Sequence, residues 1–228
     1  MSDQSPDPRL HDGVGCWVER LTAELPPGRP ALFLDRDGVV VEEAHYLSDP
    51  AKVRVLDGVA PAIARCNALG LPVVLVTNQA GIARGYYGWR EFEAVQRAMI
   101  GRLAAAGARI DLVLACAFHD VGTAPYRVAE HPWRKPNPGM ILAAAEMLAI
   151  DLPASAVIGD KVSDLAAGAA AGLARAVLVR TGHGRDEEAK LGRLPGSGRT
   201  AFTVAADMPS ALDALVASGW PDGAGRAG

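Results

Sequence analysis

Short apolar runs recur along the chain, each followed by a polar segment and then a stretch with helical spacing. Ala31–Asp35, Pro72–Val76, Leu112–Cys116, Ala156–Ile158 and Ala176–Val179 are too short for helices and almost uninterrupted in apolar character. Such runs read as strands buried on both faces. Phe202–Val204 is a sixth candidate. Helices are predicted over Pro61–Leu69, closed by Gly70, and over Trp89–Ala106, Pro138–Leu148, Val162–Ala171 and Pro209–Ala217. The alternation implies an α/β fold: a doubly wound, mostly parallel sheet covered by helices.

Several segments stand outside this alternation. Residues 1–12 read as disordered. Val14, Trp17, Val18, Leu21 and Leu25 have near-helical spacing, so Val14–Leu25 is predicted as one amphipathic helix, broken by Pro26-Pro27-Gly28. Gly38–Val55 reads as a flap with short strands. Residues 117–136 form a long irregular loop, and loops of that length tend to be functional or disordered; its aromatics and prolines favour order. The expected organisation is an N-terminal extension with a helix over 1–29, a single domain over 30–218 and a flexible tail over 219–228.

A chain of 228 residues with 50% apolar content supports one sizeable core. A net charge of -3 gives no broad basic surface for nucleic acid or a membrane, so local cations must carry any anion binding. Three separated cysteines, Cys16, Cys66 and Cys116, form no disulfide framework and suit a reducing cytosol. No run approaches bilayer length. The expectation is a soluble, cytoplasmic monomer.

The chemistry gathers at strand ends. Phe33-Leu34-Asp35-Arg36-Asp37-Gly38 places two carboxylates one residue apart after the first strand. In doubly wound sheets ligands bind outside the carboxyl ends of strands, and two acids so close are easiest to sustain beside a cation. Asp-Gly alone could equally be a turn. Val76-Thr77-Asn78-Gln79 ends the second strand, and Thr and Asn there could be mere helix caps. Arg134-Lys135-Pro136-Asn137-Pro138 sets basic residues among prolines, outside regular structure. Gly159-Asp160-Lys161-Val162-Ser163-Asp164 adds an acid after the fourth strand and another one helical turn on, where Asp164 could simply favour the helix N-terminus. All four lie on one rim of the predicted sheet, and that coincidence favours function.

The order Asp-x-Asp, Thr-Asn, Lys-Pro, Gly-Asp-x-x-x-Asp resembles the haloacid dehalogenase-like phosphohydrolases, whose core is Rossmann-like. Phe33–Gly38, Val76–Tyr86, Arg134–Gly139 and Gly159–Lys161 are most similar to the heptose 1,7-bisphosphate phosphatases of that superfamily, with the histidinol-phosphate phosphatases sharing the frame. The resemblance runs from about Ala31 to Gly182. It implies Asp35 as nucleophile through an aspartyl-phosphate, Asp37 as general acid and then base, and Thr77 and Lys135 on the phosphoryl oxygens. It implies Mg²⁺ held by Asp35, the Asp37 carbonyl and Asp160, with Asp164 in support. Glu43, His45, Tyr46, Asn78, Gln79, Arg134 and Lys161 fall at its substrate-contact positions. Arg84 is added as a candidate ligand for a remote phosphate, or is an ordinary solvated side chain. The gaps between motifs leave no room for a large cap domain, so the site should be open.

One departure stands out. Many relatives in that subgroup hold the long loop with zinc, through Cys-x-His and then Cys-x-Cys before Arg-Lys-Pro. The matched positions here are Cys116, Phe118, His131 and Trp133. Two of them cannot ligate a metal; His119 could make a third ligand, with Asp120 a poor fourth. The expectation is no structural zinc, with Phe118, Tyr126 and Trp133 packing the loop shut. The functional expectation is a Mg²⁺-dependent phosphatase of a small sugar phosphate, with heptose 1,7-bisphosphate foremost. The competing readings are a histidinol-phosphate or other small-metabolite phosphatase, a signalling receiver domain, and a catalytically silent interaction protein. A receiver would carry its acid after the third strand, where this chain has Cys116.

Overall fold

The structure is a computed structural model and describes residues 7–22, 25–194 and 199–221. Its strands are β1 (Cys16–Arg20), β2 (Leu32–Leu34), β3 (Val73–Asn78), β4 (Leu112–Cys116), β5 (Ala156–Gly159), β6 (Arg175–Val179) and β7 (Ala201–Ala205). They form one sheet in the order β1-β4-β3-β2-β5-β6-β7. Every pairing is parallel except β1 with β4.

Side-chain alternation explains why the central strands read as unbroken apolar runs. Leu32, Leu34, Val73 and Leu75 point to one face, and Phe33, Val74 and Val76 to the other; all are fully buried. Burying each such side chain contributes roughly 1.5–3 kcal/mol. The first face is covered by α1 (Val59–Ala68), α3 (Trp89–Ala105) and α7 (Met208–Ala217). The second is covered by α4 (Gly139–Leu148) and α5 (Val162–Ala170). Short helices α2 (Ala80–Ala83) and α6 (Gly184–Glu187) sit at strand ends. Because β2 lies between β3 and β5, chain order reverses beside it. A crevice opens at such a reversal at the strands' carboxyl ends. The flap is pinned by bridges from Val41 to Asp37 and Val55, and neither long connection holds an inserted domain. Among the described residues no helix is long and apolar enough to cross a membrane.

The N-terminal expectation fails. Val14–Leu25 is not a helix: Cys16–Arg20 is an edge strand, antiparallel to β4. Its apolar positions satisfied a helical period over a short window, but they also alternate. Cys16 and Val18 face one core, while Trp17 faces the other and stacks on Trp89 at 5.4 Å. An unpaired edge of β4 and two apolar faces override a weak helical pattern. Residues 7–12 are also ordered: Arg9 pairs with Asp7 and Glu93 and lies 4.2 Å over the Trp17 ring. Residues 1–6 and 222–228 of the expected disordered ends lie outside the described residues. The tail prediction is corrected at its start, because Trp220 is buried and its indole N–H donates to the Ala154 carbonyl at 2.8 Å. A large ring with a partnered N–H is a strong anchor.

Candidate active site

Asp35 leaves the end of β2, its backbone N–H donating to the Ile158 carbonyl on β5. Lys135 reaches it from the long loop. The Lys135 ammonium donates to Asp35 Oδ1 at 2.7 Å and to the Val76 carbonyl at 2.7 Å, and pairs with Asp164 Oδ1 at 2.6 Å. All three charged side chains are buried. Burial works against the lysine's charge, but Asp164 and Asp35 outweigh it and hold the ammonium above the ordinary lysine range. Asn78 fixes this lysine's backbone, accepting from its N–H at 3.1 Å and donating to its carbonyl at 3.0 Å. Asp164 also accepts from the Lys161 N–H at 3.0 Å. It therefore caps α5, as the sequence allowed, and also partners Lys135, a contact the sequence did not show.

Asp160, just beyond the end of β5, is the least satisfied buried carboxylate of the site. Its Oδ2 accepts from the His183 N–H at 2.8 Å, whereas Oδ1 is buried without a hydrogen-bond partner. Lys161 Nζ stands 4.0 Å off. Burial, with Asp35 nearby, pushes the carboxyl up to about 8. Gly38 (φ +81°) and Gly182 (φ +54°) close over this carboxylate; a Cβ on either would come within 2.4 and 2.2 Å of Oδ2. Oxygens of Asp35, Asp160 and Asp164 lie within 4.8 Å of one another. An orphaned carboxylate oxygen in a side-chain-free cradle beside two further carboxylates fits a hard divalent cation with oxygen ligands.

The second carboxylate of the opening motif is held differently. Arg36, fully buried, binds Asp37 through two bonds of 3.1 and 2.8 Å, and also reaches Gln96 and Gln79. Gln79 donates to Asp37 and, at 2.8 Å, to the Thr77 hydroxyl, and accepts from Tyr87. Arg36, Tyr87 and Gln96 escaped the sequence reading. Only a buried arginine between two acids could have signalled this network. Gln79 and Asn78, expected to contact substrate, line the cleft and also position Thr77, Asp37 and Lys135.

These groups floor a cleft of about 530 Å³. Its walls carry the expected Glu43, His45, Tyr46, Arg84, Arg134 and Lys161, together with His119, singled out in the sequence only as a possible zinc ligand, and His183, which sequence reasoning missed. Thr77 and Asp160 lie beneath its surface, buried. Arg134 is partly buried and donates to the Phe118 carbonyl, while Arg84 is exposed 6.0 Å above the Tyr46 ring. His183 Nε2 lies 3.3 Å from Glu43.

The raised Asp160 carboxyl makes a prediction about stability. Between the ordinary carboxylate range and about pH 8 the folded protein holds a proton that the unfolded chain releases. Metal-free protein therefore loses stability as pH rises through that window. A Mg²⁺ ion held at Asp160 would replace that proton, so the rise in melting temperature on adding Mg²⁺ should be larger at pH 8 than at pH 5. A Mg²⁺-induced shift independent of pH would argue against cation binding at Asp160.

The chain is similar to known proteins. Residues 132–208 match the HAD-hydrolase-like family. A D-glycero-beta-D-manno-heptose-1,7-bisphosphate 7-phosphatase of Mesorhizobium japonicum is 47% identical over 180 residues, covering 78% of this chain and 83% of its own. A D-glycero-alpha-D-manno-heptose-1,7-bisphosphate 7-phosphatase of Burkholderia mallei is 45% identical over 150 residues, covering 65% and 79%. The crystal structure of D,D-heptose 1,7-bisphosphate phosphatase from B. bronchiseptica, complexed with magnesium and phosphate, superposes with a TM-score of 0.71. It is 33% identical, with 83% of this chain and 99% of that one covered.

Proposed function

Because the chain belongs to the haloacid dehalogenase-like phosphatases, in the family of heptose 1,7-bisphosphate phosphatases, we propose that it hydrolyses the 7-phosphate of a heptose 1,7-bisphosphate through an aspartyl-phosphate. The observation that carries this reading is the pairing of Asp35 with Lys135 on the floor of a cleft walled by Arg84 and Arg134.

An Asp35 carboxylate oxygen attacks phosphorus, and the bond from phosphorus to the sugar oxygen breaks. The protonated Asp37 carboxyl gives its proton to the departing alkoxide. Asp37, now a carboxylate, then takes a proton from the water that attacks the acyl phosphate. Inorganic phosphate leaves and Asp35 is regenerated. Lys135 and the Thr77 hydroxyl face the transferring oxygens and reduce the repulsion between Asp35 and a dianionic ester. Gln79 and Arg36 hold Asp37 against the same strand end until substrate arrives. Mg²⁺, when bound by Asp35, Asp160 and the Asp37 carbonyl, supplies positive charge to the phosphoryl group.

Glu43, His45, Tyr46 and Lys161 line the wall that would meet the sugar, and Arg134 and Arg84 are the cations for the phosphate that stays. A charge-assisted contact to that group is worth about 1.5–3 kcal/mol. The bisphosphate should then surpass a matched monophosphate in kcat/KM by at least about tenfold. The test is a phosphate-release screen of both heptose bisphosphate anomers, heptose 7-phosphate, hexose phosphates and histidinol phosphate. Preference for histidinol phosphate, or equal efficiency on mono- and bisphosphates, would count against the proposal.

A further inference from the structure

The long loop, expected to fall short of four metal ligands, is approached by two further candidates from outside itself. β1 lies antiparallel to β4, with Cys16 directly opposite Cys116. The Ala117 N–H donates to the Gly15 carbonyl at 2.9 Å. The neighbouring pair, Cys16–Cys116, is therefore the non-hydrogen-bonded kind, in which facing side chains come closest. Both cysteines are buried on the same face of the sheet. His131 descends onto that face from the long loop, its Nδ1 3.9 Å from Cys116 Sγ and its ring stacked 4.1 Å from Phe118.

Asp12 completes the group. Its Oδ1 accepts from the backbone N–H groups of Val14, Gly15 and Cys16 at 3.0, 2.8 and 2.9 Å, which locks the carboxylate at the entrance to β1. Ligand atoms of Asp12, Cys16 and His131 lie within 4.8 Å of one another. His11 stacks on Trp133 at 5.3 Å and covers the loop beside the group.

We propose that Cys16, Cys116, His131 and Asp12 form a zinc site that ties the N-terminal strand to the long loop. Two thiolates, one imidazole and one carboxylate suit a borderline-soft cation in tetrahedral geometry. Zinc bonds of about 2.0–2.3 Å set tetrahedral ligands roughly 3.3–3.8 Å apart. The 3.9 Å between Cys116 Sγ and His131 Nδ1 is close to that range, and Asp12, Cys16 and His131 lie within 4.8 Å of one another. The two loop positions occupied by Phe118 and Trp133 are thus replaced by a strand residue and a turn residue from the N-terminal segment. Phe118 becomes the ring against which the ligating histidine rests. Because Arg134 and Lys135 follow His131 directly, the metal would also fix the route by which the loop delivers them. The proposal does not depend on which ester the catalytic rim hydrolyses.

The experiment is elemental analysis of the full chain, produced with added zinc, purified without chelator and freed of loose metal by gel filtration. The expected result is about one zinc per chain. Cys16→Ser and His131→Ala should lose most of it, and Asp12→Asn should hold it more weakly against a chelator. Cys66→Ser, a buried thiol elsewhere in the core, should keep it. Should Cys16→Ser fail to fold, cobalt substitution of the wild-type chain decides the matter through the thiolate-to-metal absorption expected of two cysteine ligands. Absence of stoichiometric zinc, full retention in Cys16→Ser, a cobalt spectrum without thiolate absorption, or an intact mass lacking two hydrogens through a Cys16–Cys116 disulfide would each overturn the site.

Discussion

Asp35→Asn should lower phosphate release by at least about a thousandfold, the order of loss seen when a nucleophile is removed, and should leave the fold intact. Asparagine keeps the shape of the side chain and can still accept from Lys135 through its amide oxygen. The lysine also retains Asp164 at 2.6 Å and the Val76 carbonyl at 2.7 Å. The electrostatic consequence for stability is favourable. Asp35 is one of the charges that, after burial, push the Asp160 carboxyl up. Removing it relieves repulsion among three buried carboxylates. Metal-free Asp35→Asn should therefore melt no lower than wild type, while activity disappears. The measurement pairs a melting curve with single-turnover phosphate release. A folded variant with near-wild-type turnover would exclude Asp35 as nucleophile, and a variant that fails to fold would contradict the account of Lys135 as satisfied by its remaining partners.

The parts of this molecule that were legible in the sequence share one property: a local pattern with no rival. Five apolar runs became β2 to β6, because strands buried on both faces leave no polar alternation to misread. The rim was legible because Asp35, Thr77, Lys135 and Asp160 each sit at the end of such a run or in the loop beyond it. What was lost depends on contacts distant in sequence. Cys16 is paired with a residue 100 positions away, so its strand character is invisible to a window of a dozen residues. Arg36 reads as a spacer between two acids until Gln79 and Gln96 are brought to it by β3 and α3. The deficit of ligands in the long loop was counted correctly within the loop. Asp12 and Cys16, which the fold brings beside His131, lay outside that count because they belong to a segment first read as a disordered end followed by a helix.

Lys135→Met is the substitution with the largest expected cost to the fold. Methionine matches the length of the lysine stem but leaves Asp35 and Asp164 buried without their shared cation. Breaking a buried pair from one side typically costs about 3–5 kcal/mol, and here two acids are abandoned at once. The sign with pH is fixed. Burial pushes the Asp164 and Asp160 carboxyls above their ordinary range, and removing the ammonium pushes them further. The folded variant then binds protons that the unfolded chain releases, so its stability increases as pH falls through the window above the ordinary carboxylate range. Wild-type Lys135 stays charged throughout that window, because its folded value lies above the usual lysine range. The gap in denaturant midpoint between the two proteins should therefore be widest near pH 8 and narrow toward pH 5. Saturating Mg²⁺ should narrow it at pH 8 by supplying the missing positive charge. Phosphate release should stay depressed under every condition, since the variant lacks the ammonium that offsets repulsion between Asp35 and a dianionic ester. A gap that is small or independent of pH would mean that the three carboxylates do not share the charge of Lys135 as the geometry requires.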